Sequence, residues 1–193
     1  MGRSTLLSPA CVTIRTLREH GYADLTIKRI ADEYGKSTAA IHYHYETKGD
    51  LLAAFLDYIL EQFTETVHEV ETTGSERRLE LLLDKLLADP EDHLDLFVAI
   101  LEMRSQSPYK ERFRERFRQN DEHIRSLLET VINHGVEEGV FVAVDTKHEA
   151  RALMTIVDGA RTRAVVLDEE CALTTARRTA DEYVTNVLVN ERQ

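Results

Sequence analysis

Cysteine, proline and lysine are scarce in this chain of 193 residues, and tryptophan is absent. The two cysteines, Cys11 and Cys171, are too few for a disulfide-stabilised scaffold, and neither has the spacing of a zinc ligand pair. A disulfide-rich secreted domain is therefore excluded. We expect a reduced protein with no metal site and no cofactor.

Long apolar runs are also missing. No stretch of about eighteen apolar residues is available to cross a membrane, and no signal peptide precedes the first expected helix. We therefore expect a cytoplasmic protein that has no membrane partner. The length allows one small domain and one larger domain, with no low-complexity segment or linker between them.

Basic residues are outnumbered, and the net charge of −11 argues by itself against a nucleic-acid partner. The charge is uneven, because residues 1–50 hold seven Lys or Arg and six Asp or Glu. The acidic excess therefore lies in the rest of the chain, and the N-terminal segment stays compatible with DNA. The acid-rich, lysine-poor composition suits a cytoplasm of high salt; compositional drift is the alternative.

A helix-turn-helix pattern occupies this N-terminal segment. Thr26 is a good N-cap for a helix over 27–34, and Gly35 can adopt the positive φ that ends a helix in a tight turn. Ser37 is a good N-cap for a second helix that we expect to reach about Tyr45. The second helix of such a pair enters the major groove of DNA.

Packing residues support the same interpretation. Ala31 is small enough for a close helix approach, and Ile41 lies on the inner face of the second helix. An earlier helix is expected to begin at Pro9, behind a Ser8 cap, and to end just before Gly21. Three short helices then form a DNA-binding domain over residues 1–47. The alternative is a helical hairpin that binds no DNA.

The exposed side of the second helix carries short side chains, which let the backbone come close to base edges. Tyrosine, histidine and residues at helix starts can hold phosphates, which position a protein on DNA without reading its sequence. Metal binding by the two histidines is disfavoured, since residues two apart point to opposite sides of a helix. The expected DNA contacts are Lys28, Ser37, Thr38, Ala39, Ala40, His42, Tyr43, His44 and Lys48.

Several short motifs occur together within residues 10–52. They are Gly21-Tyr22, Leu25-Thr26-Ile27, Ile30-Ala31, Gly35, Ser37, the His-Tyr-His-Tyr run at 42–45, Lys48 and Leu51-Leu52. Their combination closely resembles the N-terminal domain of TetR-family transcriptional regulators. A weaker resemblance, over about residues 109–167, is to the ligand-binding domain of BetI-like members. The chain departs from the family pattern at Ala39, His42 and Gly49, where Gly, an aromatic residue and an acidic residue are usual.

The remainder, residues 48–193, is expected to be a larger all-helical domain for effector binding and dimerisation. Its first helix is fused to the DNA-binding domain and is therefore a natural lever between the two. The expected helices cover about 48–71, 75–88, a segment from Pro90, 108–134, 146–167 and 172–189, and Ser75 is expected to cap the second of them. Gly135 and Gly139 are expected to form a turn.

The last two helices are expected to form a dimer interface. The helix from residue 146 is apolar around much of its circumference and must be covered on two sides. A second copy of the same helix pair is the simplest cover, and the family resemblance implies the same arrangement. The alternative is packing within one subunit. The expected interface residues are Ala160, Ala164, Tyr183, Val184 and Val187.

Two polar residues, Asn120 and Asp158, interrupt apolar helix faces. A ligand could satisfy them. The alternatives are a helix–helix hydrogen bond for Asn120, and a pair with Arg161 or a structural role at the dimer interface for Asp158. Aromatic walls favour a hydrophobic or amphipathic effector, and the nearby acidic residues favour a neutral or cationic one. The expected effector site comprises Phe63, Phe97, Phe113, Phe117, Asn120, Met154 and Asp158.

The sequence therefore predicts a homodimeric, ligand-responsive repressor that binds a palindromic operator in double-stranded DNA. A first alternative is a helix-turn-helix DNA-binding protein without an effector. A second is an all-helical enzyme, which is disfavoured because no nucleophile–base pair or phosphate-binding loop is apparent. We name no catalytic residue.

Overall fold

The computed structural model describes residues 9–68, 74–87 and 90–189, and most of these residues are helical. No strand occurs in these ranges, so the expected all-α class is confirmed. The helices are α1 (Pro9–Asp24), α2 (Ile27–Tyr34), α3 (Thr38–His42), α4 (Lys48–His68), α5 (Ser75–Leu86), α6 (Pro90–Gln106), α7 (Glu111–Glu137), α8 (Thr146–Val166) and α9 (Ala172–Tyr183), followed by a π-helical turn, Val184–Val189.

Two compact units divide the chain. The first unit comprises the chain up to Gln62 together with Asp95–Asn120, and the second comprises Phe63–Leu94 together with the chain from Asp121. Helices α4, α6 and α7 therefore contribute residues to both units. The functional boundary expected after residue 47 stays a prediction.

The core of the first unit joins α1, α2, α4, α6 and α7. Helix α1 begins at Pro9 as expected. Its regular backbone breaks at Gly21, which has φ 68° and ψ 170° and was expected to follow the helix end, and a short helical segment continues after this kink to Asp24. Ser8 lies outside the described residues. The buried core residues are Val12, Leu17, Leu25, Ile30, Leu51, Leu52, Phe55, Leu56, Ala99, Met103 and Phe113.

Helix α7 begins at Glu111, three residues later than the proline suggested. The backbone N–H groups of Tyr109 and Lys110 both donate to the carbonyl of Gln106, which closes a turn around Pro108. The carbonyl of Lys110 then accepts from Phe113, so the helix starts after Lys110. Proline is compatible with either a first helical turn or a β-turn, and the turn is what forms here.

In the second unit, α8 packs against α9. The expected turn at Gly135 was wrong, because α7 continues through it to Glu137, whereas Gly139 has the positive φ of a turn, 74°. The ring of Phe141 covers Gly135, and a Cβ added there would lie 2.1 Å from the ring Cδ2. The glycine is therefore a packing residue inside a helix.

The start of α5 is capped by a carboxylate from elsewhere in the second unit. Ser75, the expected cap, is the first helical residue, and the N-cap is Gly74, which has no side chain to offer. The Ser75 hydroxyl donates to Glu138 Oε2 at 2.7 Å, and the Ser75 backbone N–H also donates to that carboxylate. These hydrogen bonds lower the pKa of Glu138, with smaller contributions from His134 and Arg78. An anion at a helix N-terminus is also favoured by the helix dipole.

This cap predicts an acid-dependent stability. Because the folded-state pKa of Glu138 lies below its unfolded value, the stabilisation is fully present above the unfolded value of about 4.5 and disappears as the pH falls through the folded value. Glu138→Gln should therefore lower the free energy of unfolding at pH 7, and the difference from wild type should shrink below pH 4. Urea unfolding at pH 7 and below pH 4 measures this difference in the free energy of unfolding. Glu137→Gln, at the exposed neighbouring residue, is the control. A difference that is the same at both pH values would contradict the cap.

Candidate nucleic-acid interface

The first helix of the helix-turn-helix is bounded as the sequence predicts. The Thr26 side chain accepts the backbone N–H of Arg29 at 3.1 Å and starts α2. At the other end, Gly35 is left-handed, with φ 67° and ψ 29°. Its N–H reaches the carbonyl of Asp32, and the N–H of Lys36 reaches that of Ala31, which is the Schellman arrangement. This closure satisfies the last carbonyls of α2 and turns the chain directly into α3.

Helix α3 is short, and its exposed residues are Ala39, Ala40 and His42. The Ser37 hydroxyl accepts the N–H of Ala40 at 3.2 Å, and Ile41 is the buried residue that fixes the helix to the unit. The helix ends at His42 rather than at the expected Tyr45, and Tyr45 packs against the core of the first unit. Tyr43, 86% exposed, meets the ring of His44 edge to face at 5.0 Å.

Most of the expected DNA contacts are exposed, and all except Lys28 and Lys48 lie between Ser37 and His44. Thr38 and Lys48 are half-buried, and the others are exposed: Lys28, Ser37, Ala39, Ala40, His42, Tyr43 and His44. Basic side chains are few here, so short polar and aromatic groups dominate the stretch. Their role in DNA binding stays a prediction.

A capping box that the sequence analysis missed begins α4. The Thr47 hydroxyl accepts the N–H of Asp50 at 3.1 Å, and the Asp50 carboxylate accepts both the N–H and the hydroxyl of Thr47. Asp50 also pairs with Arg112 of α7. The Thr-Lys-Gly-Asp spacing at 47–50 was the available signal.

Lys48, in the first turn of α4, is engaged within the unit. Its ammonium donates to the carbonyl of Tyr22 and lies 4.1 Å from the centroid of the Tyr22 ring. Burial, and then the nearby ammonium of Lys110, lower the pKa of Lys48. The Lys48 ammonium therefore already has partners within the unit, and its expected contact with a DNA phosphate stays a prediction.

The residues of the expected effector site are distributed over both units. Phe97 and Phe113 are buried, Phe117 and Asn120 are half-buried, and all four belong to the first unit. Met154 is buried and Asp158 half-buried in the second unit. The side chain of Phe63 lies outside the described residues. Effector binding by this set stays a prediction.

The expected dimer residues differ in their surroundings. Ala160 and Ala164 are buried within the chain itself, while Val184 and Val187 are half-buried. The hydroxyl of Tyr183 donates to the carboxylate of Glu149, and burial together with this partner raises the pKa of Tyr183 to about 12. Of the five expected interface residues, the two valines are therefore the aliphatic ones that the single chain leaves partly exposed.

Neither a metal-binding cluster nor a membrane-spanning helix occurs in the residues that the structure describes. No three His, Cys, Asp or Glu side chains in residues 9–68, 74–87 and 90–189 come together as a group that could hold a metal ion. Within that same part of the chain, no helix has the length and apolar character of a membrane span.

Comparison with known families identifies both halves of the chain. Residues 12–55 match the family described as "Bacterial regulatory proteins, tetR family", and residues 75–189 match "BetI-type transcriptional repressor, C-terminal".

Known proteins align over most of the length. The crystal structure of a TetR transcription regulator from Haloarcula marismortui ATCC 43049 is 62% identical, with a TM-score of 0.88, over 96% of this chain and 100% of that one. A transcriptional regulator from Saccharomonospora viridis, solved in complex with choline, has the same fold at 24% identity, with a TM-score of 0.82 over 95% and 96% of the two chains. The nucleoid occlusion factor SlmA of Vibrio vulnificus (strain YJ016) is 26% identical over 151 residues, 77% of this chain and 76% of its own.

Proposed function

The chain belongs to the TetR family of transcriptional regulators, and on this basis we propose that it is a homodimeric repressor of a palindromic operator, released by a small hydrophobic or amphipathic effector. The observation that best supports DNA binding is the capped, exposed helix α3. Its short side chains Thr38, Ala39 and Ala40 allow close approach to base edges. A DNA-binding role is consistent with a cytoplasmic location, which belongs to the same proposal.

Selection from a random duplex library tests this function. Wild-type protein should enrich a two-fold symmetric site with half-sites about 10 base pairs apart, or a multiple of that spacing. The selected duplex then serves as the probe for every variant, with a scrambled duplex as its partner. Failure to enrich any site would contradict sequence-specific binding.

Substitutions on α2 and α3 should separate phosphate contacts from base contacts. Tyr43→Ala should weaken binding to selected and scrambled duplexes alike, and Lys28→Ala should flatten the salt slope by about one charge. Thr38→Ala should instead change which duplexes are preferred. Fluorescence anisotropy at several salt concentrations measures all three, with Lys85→Ala on the second unit as control. If Tyr43→Ala matched wild type on both duplexes, the placement of the interface would be wrong.

We infer a neutral or cationic effector for the helical domain. The supporting facts are the acidic excess of the chain and the aromatic residues among the expected contacts. The Saccharomonospora viridis neighbour, solved with choline, offers a small cation as the first probe. The effector would act by binding the DNA-free conformation more tightly, since equal affinity for both states shifts nothing.

Effector binding should be visible as added stability. A true effector present at a hundredfold excess over its dissociation constant should stabilise the folded state by about 2.7 kcal/mol and weaken operator binding. Thermal unfolding with choline and with a long-chain quaternary ammonium tests the cationic class, and a fatty acid of similar length is the control of opposite charge. Stabilisation by the fatty acid alone would overturn the preference for a cation.

A regulator without an effector is the second candidate. The observation that favours it is the similarity to SlmA, a nucleoid occlusion factor by name. If a broad panel of amphipathic molecules changes neither melting temperature nor operator affinity, this candidate replaces the ligand-responsive one.

An enzyme is the remote candidate, and one cluster is relevant to it. Ser75 Oγ lies 3.2 Å from His134 Nδ1 and 2.7 Å from Glu138 Oε2. In a catalytic triad the histidine stands between nucleophile and acid, whereas here the serine donates directly to the carboxylate. Ser75 is also 1% exposed, which leaves a substrate no access. We assign this cluster to the capping of α5.

A further inference from the structure

Tyr22, directly after the kink in α1, has three polar groups held by three charged side chains. Its backbone N–H donates to Glu102 Oε2 at 2.7 Å, and its carbonyl accepts from the ammonium of Lys48. Its hydroxyl accepts from Lys110 Nζ at 2.6 Å. These partners come from the end of α6, the start of α4 and the turn before α7, so one residue is fixed from three directions.

The ring of Tyr22 strengthens the same arrangement. The ammonium of Lys48 lies 4.1 Å from its centroid, within the range of cation–π attraction. Phe113 of α7 meets the ring edge-on, with centroids 6.4 Å apart. Tyr22 is therefore anchored through its backbone, its hydroxyl and its ring.

Glu102 also offsets a charge repulsion within this cluster. Lys48 and Lys110 repel each other, and Glu102 and Asp24 offset that repulsion at Lys48. The carboxylate of Glu102 also lies against Gly21, where an added Cβ would be 3.4 Å from Oε1. Glu102 therefore acts on both residues of the kink.

The anchored segment leads directly into the DNA-binding helices. Leu25, three residues after Tyr22, is 1% exposed in the core of the first unit, and α2 starts at Ile27. Helix α1 packs on α2, and α2 packs on α3. A shift of the Gly21–Tyr22 kink would therefore be transmitted to α3 through packed helices.

We propose that Glu102 is a positioning residue for DNA binding, an inference that rests on the function proposed above. Its carboxylate holds the Tyr22 backbone and so sets the orientation of α2 and α3, with Lys48 and Lys110 as its partners on the same tyrosine. Glu102 does this from α6, a helix that contributes residues to both compact units. Lys48 acts here through Tyr22, in addition to any phosphate it reaches.

The test compares full-length variants on the duplex that wild-type protein selects from a random library. Glu102→Ala should weaken binding about tenfold or more, the factor that ~1.4 kcal/mol represents, because the N–H of Tyr22 loses a charged acceptor. The salt slope should stay unchanged, since no phosphate contact is removed. Glu102→Gln should recover most of the affinity, because its amide oxygen still accepts from Tyr22. Glu111→Ala, which removes an exposed partner of Arg114 in the same unit, should bind like wild type.

Three readouts distinguish a general loss of stability from a loss of DNA affinity. Far-UV circular dichroism and sedimentation confirm folding and assembly, and titration with excess duplex gives the active fraction. A merely structural role would lower that fraction and leave the dissociation constant of the active protein unchanged, which would overturn the proposal. If Glu102→Ala does not fold, Tyr22→Phe carries the test, since it removes only the hydroxyl bonded to Lys110. It should weaken binding a few-fold with an unchanged slope, and wild-type affinity would overturn the proposal.

The same experiment distinguishes this inference from its premise. If wild-type protein enriches no duplex, DNA binding itself fails and the positioning role fails with it. If wild type binds and Glu102→Ala binds equally well, only the positioning role is overturned.

Discussion

Replacing Gly135 with alanine should destabilise the second unit by about 1–3 kcal/mol, the usual cost of overpacking a filled interior. The new Cβ would lie 2.1, 2.5 and 2.9 Å from the Cδ2, Cε2 and Cγ atoms of Phe141. The ring is 3% exposed, so it has no free space to move into without displacing its neighbours. Urea unfolding at a fixed protein concentration measures the effect, because any dimerisation would make stability depend on concentration.

Gly159 offers the matched control. It is also an interior helix position, in α8, and an added Cβ there meets nothing within 4 Å. Gly159→Ala should therefore raise stability by up to ~1 kcal/mol, the ordinary gain of alanine over glycine in a helix. Opposite signs at the two glycines identify packing as the cause. Equal gains at both would mean that Phe141 does not cover Gly135.

Features set by neighbouring residues were predictable from the sequence. Thr26, Ser37 and Gly35 were assigned to the ends of α2 and α3, and each acts through hydrogen bonds that reach no more than five residues. The composition of those few residues was sufficient for the prediction, which is why the helix-turn-helix and its family resemblance agree with the structure.

Features set by distant residues were not predictable. The sequence placed a turn at Gly135, because a glycine after a polar helix end is typical of a C-cap, whereas the packing of Phe141 explains it. Ser75 was expected to cap its own helix, but Glu138 serves that end from 63 residues away.

The cluster around Tyr22 is the clearest example of this limit. Its partners lie 26, 80 and 88 residues along the chain, and no local spacing connects them. In the sequence, the Gly21-Tyr22 pair was visible only as the end of a helix and as part of the family pattern. Its contacts with α4, α6 and α7 required the fold.

The dimer prediction has the largest expected effect on DNA binding. Two recognition helices joined in one molecule bind a palindrome with an avidity that exceeds a single half-site by a factor of about 10² to 10⁴. Val184→Glu should place an unpaired charge in the expected interface, at a half-buried position that follows α9 directly. The variant should be a monomer by sedimentation at micromolar concentration, and its affinity for the selected palindrome should fall at least a hundredfold.

The substituted residue has to be partly exposed in the single chain, so that a new charge disrupts the dimer and not the fold of the subunit. Ala160 was an equally natural choice from the sequence, but it is 5% exposed within the single chain, so a glutamate there would disrupt the fold of a monomer as well as a dimer. Thr185→Glu is the matched control, because it adds the same charge one residue away on an exposed side chain. It should remain dimeric and bind normally. Retained dimerisation in Val184→Glu would exclude this valine from the interface, and a monomeric wild type would remove the basis for palindromic recognition altogether.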